Sequence, residues 1–250
     1  MSVTIIPREQ QAKGAFDNGK ILERKPIGFP QDGGTTKPYS NLFYWAHAWS
    51  DEGGLIGEHP HKGFEIMSYV LRGEIEHYDS KLRGWKKLKA GDVQIIRAGN
   101  GITHAEKILP NSAIFQIWFD PNLDETLSKP ASYNDYASDA LPVLKDKDSS
   151  AKIIFGGTPF TMDSKVDYIQ EITFTVSEKT YDTNTDSVYS IFLLEGSLEL
   201  NQSKMNKGDF AVVAEETKMK LSSIESSSKI FIIKSPLKLS FKTYAEMMRW

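Results

Sequence analysis

The sequence contains no cysteine among its 250 residues. This absence excludes disulfide bonds, thiolate metal ligands and cysteine nucleophiles, so any metal must be held by histidine and carboxylate side chains. The formal net charge is only −3 at pH 7. An imbalance this small does not favour direct binding to nucleic acid or to a membrane surface.

Long apolar runs are missing as well. No stretch approaches the roughly 20 residues that a helix needs to span a bilayer. The apolar segment at the N-terminus is too short for a signal peptide and ends at Pro7 and Arg8. These features predict a soluble, cytoplasmic protein without a membrane partner.

The apolar segments that are present are short, and Gly, Asp and Asn separate them. Their regular spacing is typical of an antiparallel sandwich or barrel. Residues 10–40 are rich in Gly, Lys, Asp and Pro, so we expect a loop with one edge strand there. The predicted strands are residues 3–6, 42–49, 65–71, 74–78, 93–96 and 113–119.

Two further segments complete the outline. The polar residues 120–150, which include three prolines, are predicted to link two domains. Near the C-terminus, Phe241, Tyr244, Ala245 and Met248 have helical spacing. This spacing predicts a short helix that covers a barrel.

The second half of the chain repeats the first in outline. Residues 70–96 and 193–213 each have a glycine turn before one strand and a Gly-Asp turn before the next. Such a repeat predicts one barrel unit used twice, with an N-terminal domain at 1–135 and a C-terminal domain at 136–250. All five histidines lie in the first half, so the second domain is expected to lack metal ligands.

Two pairs of potential metal ligands stand two residues apart, His59 with His61 and His104 with Glu106. In a strand, residues i and i+2 point to the same face and lie about 6.6 Å apart. One ion with bonds of roughly 2.0–2.2 Å can contact both members of such a pair if the side chains lean together. Two pairs on facing walls predict one metal site of three imidazoles and one carboxylate.

Three other residues near these motifs have more ordinary explanations. His47 lies on an aromatic strand face and is expected to pack there. His77 is expected to be a hydrogen-bonded strand histidine, with lining of a cavity as the alternative. Gln116 is the polar exception on an aromatic strand and is a candidate to support a metal ligand.

The chain resembles the pirin family, a branch of the cupin superfamily. The resemblance rests on His59-Pro-His-Lys-Gly-Phe-Glu65, on the turns at Gly73 and Gly91-Asp92, and on the run from Ala98 to Glu106. It implies an all-β bicupin: two facing antiparallel β-barrels of the jelly-roll or double-stranded β-helix type, with a short C-terminal helix.

The resemblance also implies a single metal ion in the N-terminal barrel. Carried over residue by residue, its ligands are His59, His61, His104 and Glu106. Glu65 competes with Glu106, because cupins in general place a ligand glutamate shortly after the His-x-His pair. The implied ion is divalent iron, with Mn, Co, Ni, Cu and Zn as alternatives that this donor set also suits.

At the level of the family, the implied activity is that of a quercetin 2,3-dioxygenase, which cleaves a flavonol with O2. The substrate would be a small flavonol-like aromatic molecule. We also expect Glu106 to act as the catalytic proton acceptor if it loosens from the metal, because carboxylates change coordination easily and no other base is evident. The alternative is a non-catalytic, iron-binding redox sensor that regulates through a protein partner. Both readings use the same ligands, so the motifs do not separate them.

Overall fold

The structure, a computed structural model, describes residues 3–175 and 178–248. Within these ranges there are two short α-helices, α1 (Leu123–Thr126) and α2 (Tyr244–Met247), and 3-10 turns at Arg8–Gln10, Asp17–Gly19, Pro30–Asp32 and Ser138–Ala140. Neither α-helix in this part of the chain is long and apolar enough to cross a membrane. The strands are β1 (Val3–Ile6), β2 (Ala12–Phe16), β3 (Ile21–Ile27), β4 (Leu42–Ser50), β5 (Gly54–His61), β6 (Glu65–Arg72), β7 (Glu74–Asp79), β8 (Trp85–Lys89), β9 (Val93–Arg97), β10 (Ile102–Ile108), β11 (Ser112–Phe119), β12 (Ser132–Tyr136), β13 (Val143–Lys145), β14 (Ser149–Phe155), β15 (Tyr168–Phe174), β16 (Lys179–Asp182), β17 (Ser187–Glu195), β18 (Ser197–Leu200), β19 (Ser203–Asn206), β20 (Phe210–Ala214), β21 (Lys218–Ser223) and β22 (Ser228–Pro236).

The first compact unit comprises Gln11–Ala140, Met162–Ser164 and the C-terminal segment from Phe241. It contains a seven-stranded sheet of order β12-β9-β6-β11-β4-β3-β2 and a four-stranded sheet of order β5-β10-β7-β8. Ile21, Val70 and Ile114 from the larger sheet and Ile75, Leu88 and Ile108 from the smaller one form a buried cluster. The core of this unit therefore lies between its two sheets.

The second unit comprises the chain up to Gln10, Leu141–Thr161 and Lys165–Ser240. Its sheets have the orders β1-β20-β17-β22-β15-β14-β13 and β16-β21-β18-β19. These orders match those of the first unit strand for strand, except that the N-terminal strand β1 takes the edge position that β12 has in the first unit. The all-β fold of two cupin-type units is therefore confirmed.

The repeated glycines have the same backbone conformation in both units. Gly73 and Gly196 have φ of +70° and +80°, and Gly91 and Gly208 have φ of +85° and +91°. Glycine adopts this left-handed region at little cost because it has no Cβ. The repeat seen in the sequence is thus a repeat of turns in the structure.

Three predictions about local structure need correction. Residues 10–40 form two paired strands, β2 and β3, rather than one edge strand. Residues 120–150 are not simply a link, since β12 pairs with β9 and β13 pairs with β14. The units also differ from the continuous ranges 1–135 and 136–250, because each includes one end of the chain from beyond its predicted range.

The predicted C-terminal helix is present as α2. Thr243 caps it by accepting a hydrogen bond from the backbone N–H of Glu246, and the Glu246 carboxylate accepts one from the N–H of Thr243. Ala245 packs against Phe43 and Tyr44 on β4. The helix therefore covers the larger sheet of the first unit.

Replacing Gly73 by alanine is expected to destabilise the first unit. A Cβ at this position would lie 2.1 Å from Oγ and 2.9 Å from Cα of Ser112. A left-handed backbone costs other residues roughly 1–2 kcal/mol, and the clash adds to it. We expect the free energy of unfolding, measured by urea titration, to fall by about 2–4 kcal/mol.

Gly84→Ala is the matched control, because a Cβ at Gly84 would come no closer than 4.0 Å, to the carbonyl oxygen of Leu82. The control is expected to unfold at the wild-type urea concentration. Equal unfolding curves for the two variants would contradict this explanation of the turn.

Candidate metal centre

Two neighbouring strands of the first unit position the predicted ligands. His59 and His61 lie on β5, while His104 and Glu106 lie on β10, which pairs with β5 in antiparallel register. His104 stands directly opposite His59, and the register shifts between His104 and Glu106. Alternate residues of a strand point to one face, so each pair points the same way.

The three imidazoles form one cluster. Nε2 of His59 lies 2.9 Å from Nε2 of His104, and the ring centroids of the three histidines are 4.4–4.8 Å apart. One nitrogen from each ring lies within 4.8 Å of a nitrogen of each of the others. An ion with bonds of roughly 2.0–2.1 Å to nitrogen holds its ligand atoms about 3–3.5 Å apart, so the cluster fits a metal with only small movements.

Glu106 lies beside this cluster and is held by its neighbours. Its carboxylate accepts hydrogen bonds from Nε2 of Gln116 at 2.6 Å and from Oγ of Ser68 at 3.3 Å. The indole N–H of Trp118 in turn donates to Oε1 of Gln116 at 3.1 Å. Glu106 also forms a second close group of potential ligands with His77 and His104. The structure thus brings three histidines together. Glu106 lies next to them, because His104 belongs to both groups of potential ligands.

Burial keeps two of the imidazoles uncharged. Burial, together with the neighbouring His104 and His59, lowers the pKa of His61 to about 3. Burial likewise lowers the pKa of His104 to about 2, with His59 and His77 adding to the effect. A neutral imidazole offers a nitrogen lone pair, which is the form that binds metals.

The hydrogen bonding of these rings also fits a metal. Nε2 of His61 and Nδ1 of His104 are buried and have no hydrogen-bond partner within the described ranges. A buried polar atom without a partner is costly unless something else satisfies it. For Nε2 of His61, whose ring lies beside the other two imidazoles, a cation is the simplest such partner.

Glu65, the competitor for the carboxylate position, has other partners. Its two oxygens accept hydrogen bonds from the backbone N–H groups of Asp163 and Ser164 at 2.8 and 2.7 Å. Arg97 approaches one of these oxygens to 3.8 Å. The carboxylate therefore anchors the segment at residues 162–164. This placement supports Glu106 over Glu65 as a ligand, a choice that remains a prediction.

The other two histidines are placed as expected. Nε2 of His77 lies 3.1 Å from Oδ2 of Asp79, and its ring stacks on Tyr133 with centroids 5.0 Å apart. His47 packs against the rings of Trp49 and Phe115. His77 is therefore a hydrogen-bonded strand histidine, and His47 is a packing residue.

A cavity of about 470 Å³ adjoins the site. His59, Glu106 and Gln116 contribute to its lining, so it reaches two of the predicted ligands. Four of the other eight lining residues are aromatic, and Lys25 and Asp32 form an ion pair of 2.9 Å in the wall. The aromatic lining residues are Phe16, Phe29, Tyr44 and Trp118.

The second unit has apolar residues at the equivalent positions. Leu200 lies four residues after Gly196, as His77 lies four after Gly73, and Leu200 pairs with Leu221 as His77 pairs with Glu106. Met219, two residues before Leu221, takes the place of His104. Leu200, Met219 and Leu221 are all buried in one hydrophobic cluster. Within the described ranges, the groups of three potential ligands lie in the first unit alone.

Two cupin-type units, one of which carries a buried histidine cluster, define this chain as a bicupin with a single candidate metal centre. Residues 36–119 match the family model for pirin. The nickel(II) complex of the bacterial pirin YhhW from Escherichia coli superposes with a TM-score of 0.79 at 19% identity, over 94% of this chain and 100% of that one. At this identity the superposition shows a shared fold.

Curated relatives agree with the family model. A pirin-like protein of Caulobacter vibrioides is 29% identical over 181 residues, which are 70% of this chain and 75% of the relative. Quercetin 2,3-dioxygenase of Escherichia coli K12 is 43% identical over 75 residues, 28% of this chain and 32% of that enzyme. Several relatives are matched over only about a third to a half of their own length. Together these findings confirm the resemblance of the chain to the pirin family.

Replacing Glu65 by glutamine is expected to reduce stability without loss of metal. The new amide can accept one backbone hydrogen bond, but its NH2 group would face the second N–H. We expect the free energy of unfolding to fall by about 1–3 kcal/mol, measured by urea titration. Metal content, measured by elemental analysis, should stay at the wild-type level.

The exposed Glu199 on β18 provides the control, as Glu199→Gln is expected to change neither quantity. Loss of metal from the Glu65 variant at wild-type stability would reverse the choice between Glu65 and Glu106.

Proposed function

We propose that His59, His61, His104 and Glu106 hold one divalent transition metal and that the protein is a quercetin 2,3-dioxygenase-like oxidoreductase. The preferred ion is Fe(II), and Ni, Mn, Co, Cu and Zn suit the same ligands. The substrates would be O2 and a small aromatic molecule of the flavonol class, whose ring is cleaved. The observation that carries this proposal is the three-imidazole cluster at the edge of an aromatic-lined cavity.

The dimensions and lining of the cavity support an aromatic substrate. Its volume of about 470 Å³ lies in the range typical of small-molecule sites. Tyr44 and Trp118 have ring centroids 4.7 Å apart, and Phe29 contacts both rings. Such a wall can stack against a planar ligand and exclude water from one of its faces.

The metal, when bound, would supply Lewis-acid and orienting chemistry to a ligand hydroxyl. The chain's own residues fix the geometry around it. Gln116 holds the Glu106 carboxylate by its amide, and Trp118 holds Gln116 in turn. Hydrogen bonds of this kind orient metal ligands and tune their basicity. The role of Glu106 as a proton acceptor stays a prediction.

Metal analysis tests the ligand set. His104→Ala and His61→Ala are each expected to lower metal content from about one ion per chain to below roughly a tenth, since losing one of few ligands costs most of the affinity. Elemental analysis after gel filtration measures the content, and the metal-dependent rise in melting temperature provides an independent measure.

His47→Gln is the matched histidine control, because His47 is not a predicted ligand and packs against Trp49 and Phe115. It is expected to keep the wild-type metal content. Full metal occupancy in the His104 variant would overturn the proposed site.

Aerobic incubation with quercetin tests the activity. The metal-loaded protein is expected to consume the flavonol, seen as loss of its absorbance, with a matching uptake of O2. Removal of the metal or of O2 should stop the reaction, and His104→Ala should lower the rate at least about 100-fold because the reacting molecules lose their template. Absence of turnover with each of the six metals would instead favour the redox-sensing regulator.

A further inference from the structure

A second buried carboxylate lies behind the wall of the cavity and belongs to no predicted ligand set. Glu23 lies on β3 and is 5% exposed. Its Oε1 accepts a hydrogen bond from the phenol of Tyr44 at 3.2 Å. Tyr44 is on β4 and lines the same cavity as His59 and Glu106. The carboxylate is thus linked to the cavity through one hydroxyl group.

The space for this carboxylate is built into the neighbouring strand. Gly14 on β2 faces Glu23, and a Cβ there would lie 2.3 Å from Oε2 of Glu23. The absent side chain therefore leaves room for a buried carboxylate against the sheet. Lys25 extends from the same face of β3 and is ion-paired with Asp32 at 2.9 Å. The positive charge of Lys25 therefore acts on both Asp32 and Glu23.

The charged groups around Glu23 come from several elements. They are Lys25 on its own strand, Asp32 from the turn at residues 30–32 and Glu106 from β10, while Tyr44 faces it from β4. Burial raises the pKa of Glu23 to about 7, against the opposing effects of Lys25 and Tyr44. Burial and the nearby Glu23 carboxylate raise the pKa of Tyr44 well above its usual value. The phenol therefore stays protonated, and Glu23 gains or loses its proton near neutral pH.

We propose that Tyr44 and Glu23 together accept a proton from an acidic hydroxyl of an aromatic ligand bound in this cavity. The proposal rests on the proposed function and assigns the proton acceptor for it. The O–H bond of the ligand breaks, and its proton passes to Oη of Tyr44. The original phenol proton passes to Oε1 of Glu23. The ligand becomes an oxyanion, Glu23 becomes neutral and Tyr44 ends unchanged.

Glu106 is less suited to this task. Both its oxygens already accept hydrogen bonds, from Gln116 and Ser68, and the metal would draw on the same lone pairs. A carboxylate bound to a cation also has little affinity for a proton. Glu23 has one hydrogen bond from Tyr44, and its pKa matches the working pH of a general base. Tyr44 would contact the ligand, and Glu23 acts through it as a positioning residue.

Anaerobic rapid mixing of quercetin with the metal-loaded protein tests the proposal. Flavonols absorb at longer wavelength when ionised, so the change in absorbance reports the rate at which the bound anion forms at each pH. In the wild type this rate should fall as the pH falls through about 7, because a Glu23 that is already protonated cannot accept the proton. Glu23→Gln and Tyr44→Phe should each lower the rate above neutral pH by about tenfold or more and remove its dependence on pH near 7. The double variant should be no slower than either single one.

Controls come from the second unit, where Glu199→Gln and Tyr168→Phe remove the same groups far along the chain from the cavity. Their rates and pH profiles should equal those of the wild type. Melting temperatures establish that the Glu23 and Tyr44 variants are folded, which their near-isosteric substitutions favour.

The outcomes separate this proposal from the function on which it rests. An unchanged rate in both folded variants overturns the Tyr44–Glu23 pair, and a rate lowered by Glu106→Gln alone assigns the proton to Glu106. A lowered rate in both variants, without flavonol consumption by the wild type in air, supports the pair and overturns the dioxygenase. Failure of the wild type to bind quercetin overturns both.

Discussion

The pairing of β5 with β10 is the constraint on which the candidate site depends. It sets His104 opposite His59 and, with the two-residue period of each strand, gathers imidazoles that are far apart in sequence. A slip of one residue in this register would turn each ligand to the opposite face. The neighbouring strand β7 adds His77 and Asp79 opposite Glu106 and His104. The chemistry of the site is therefore a consequence of strand register more than of any loop.

Much of this could be predicted from the sequence because strands and ligand pairs share one period. The segment predicted at 42–49 is β4, and the repeated glycines mark equivalent turns. The residues predicted as metal ligands lie close together, but on adjacent strands of one sheet and not on facing walls. The ligand pairs could be recognised because histidine is rare in this chain and because residues i and i+2 of a strand point to the same face. The family relationship followed from the same motifs.

The cavity wall and the ends of the units could not be predicted in the same way. β3 reads as a polar segment, yet Glu23 and Lys25 face inward, where Tyr44 and Asp32 satisfy them. Alternation of apolar and polar residues does not reveal a strand whose buried face is charged. The sequence signals for this buried face were Gly14 in the neighbouring segment and the opposite charges of Glu23 and Lys25 two residues apart. Exchange of the chain ends between units depends on long-range pairing, such as that of β1 with β20, which no local pattern encodes.

The apolar interior of the second unit has a consequence of its own. Leu200, Met219 and Leu221 complete that interior by contact among hydrocarbon side chains and the Met219 thioether. The described residues of the second unit therefore need no ion to complete this interior, while the first unit holds imidazoles whose burial an ion would compensate. A duplicated barrel of this kind can carry a scarce cofactor in one copy and still keep a complete hydrophobic scaffold in the other during starvation for that cofactor.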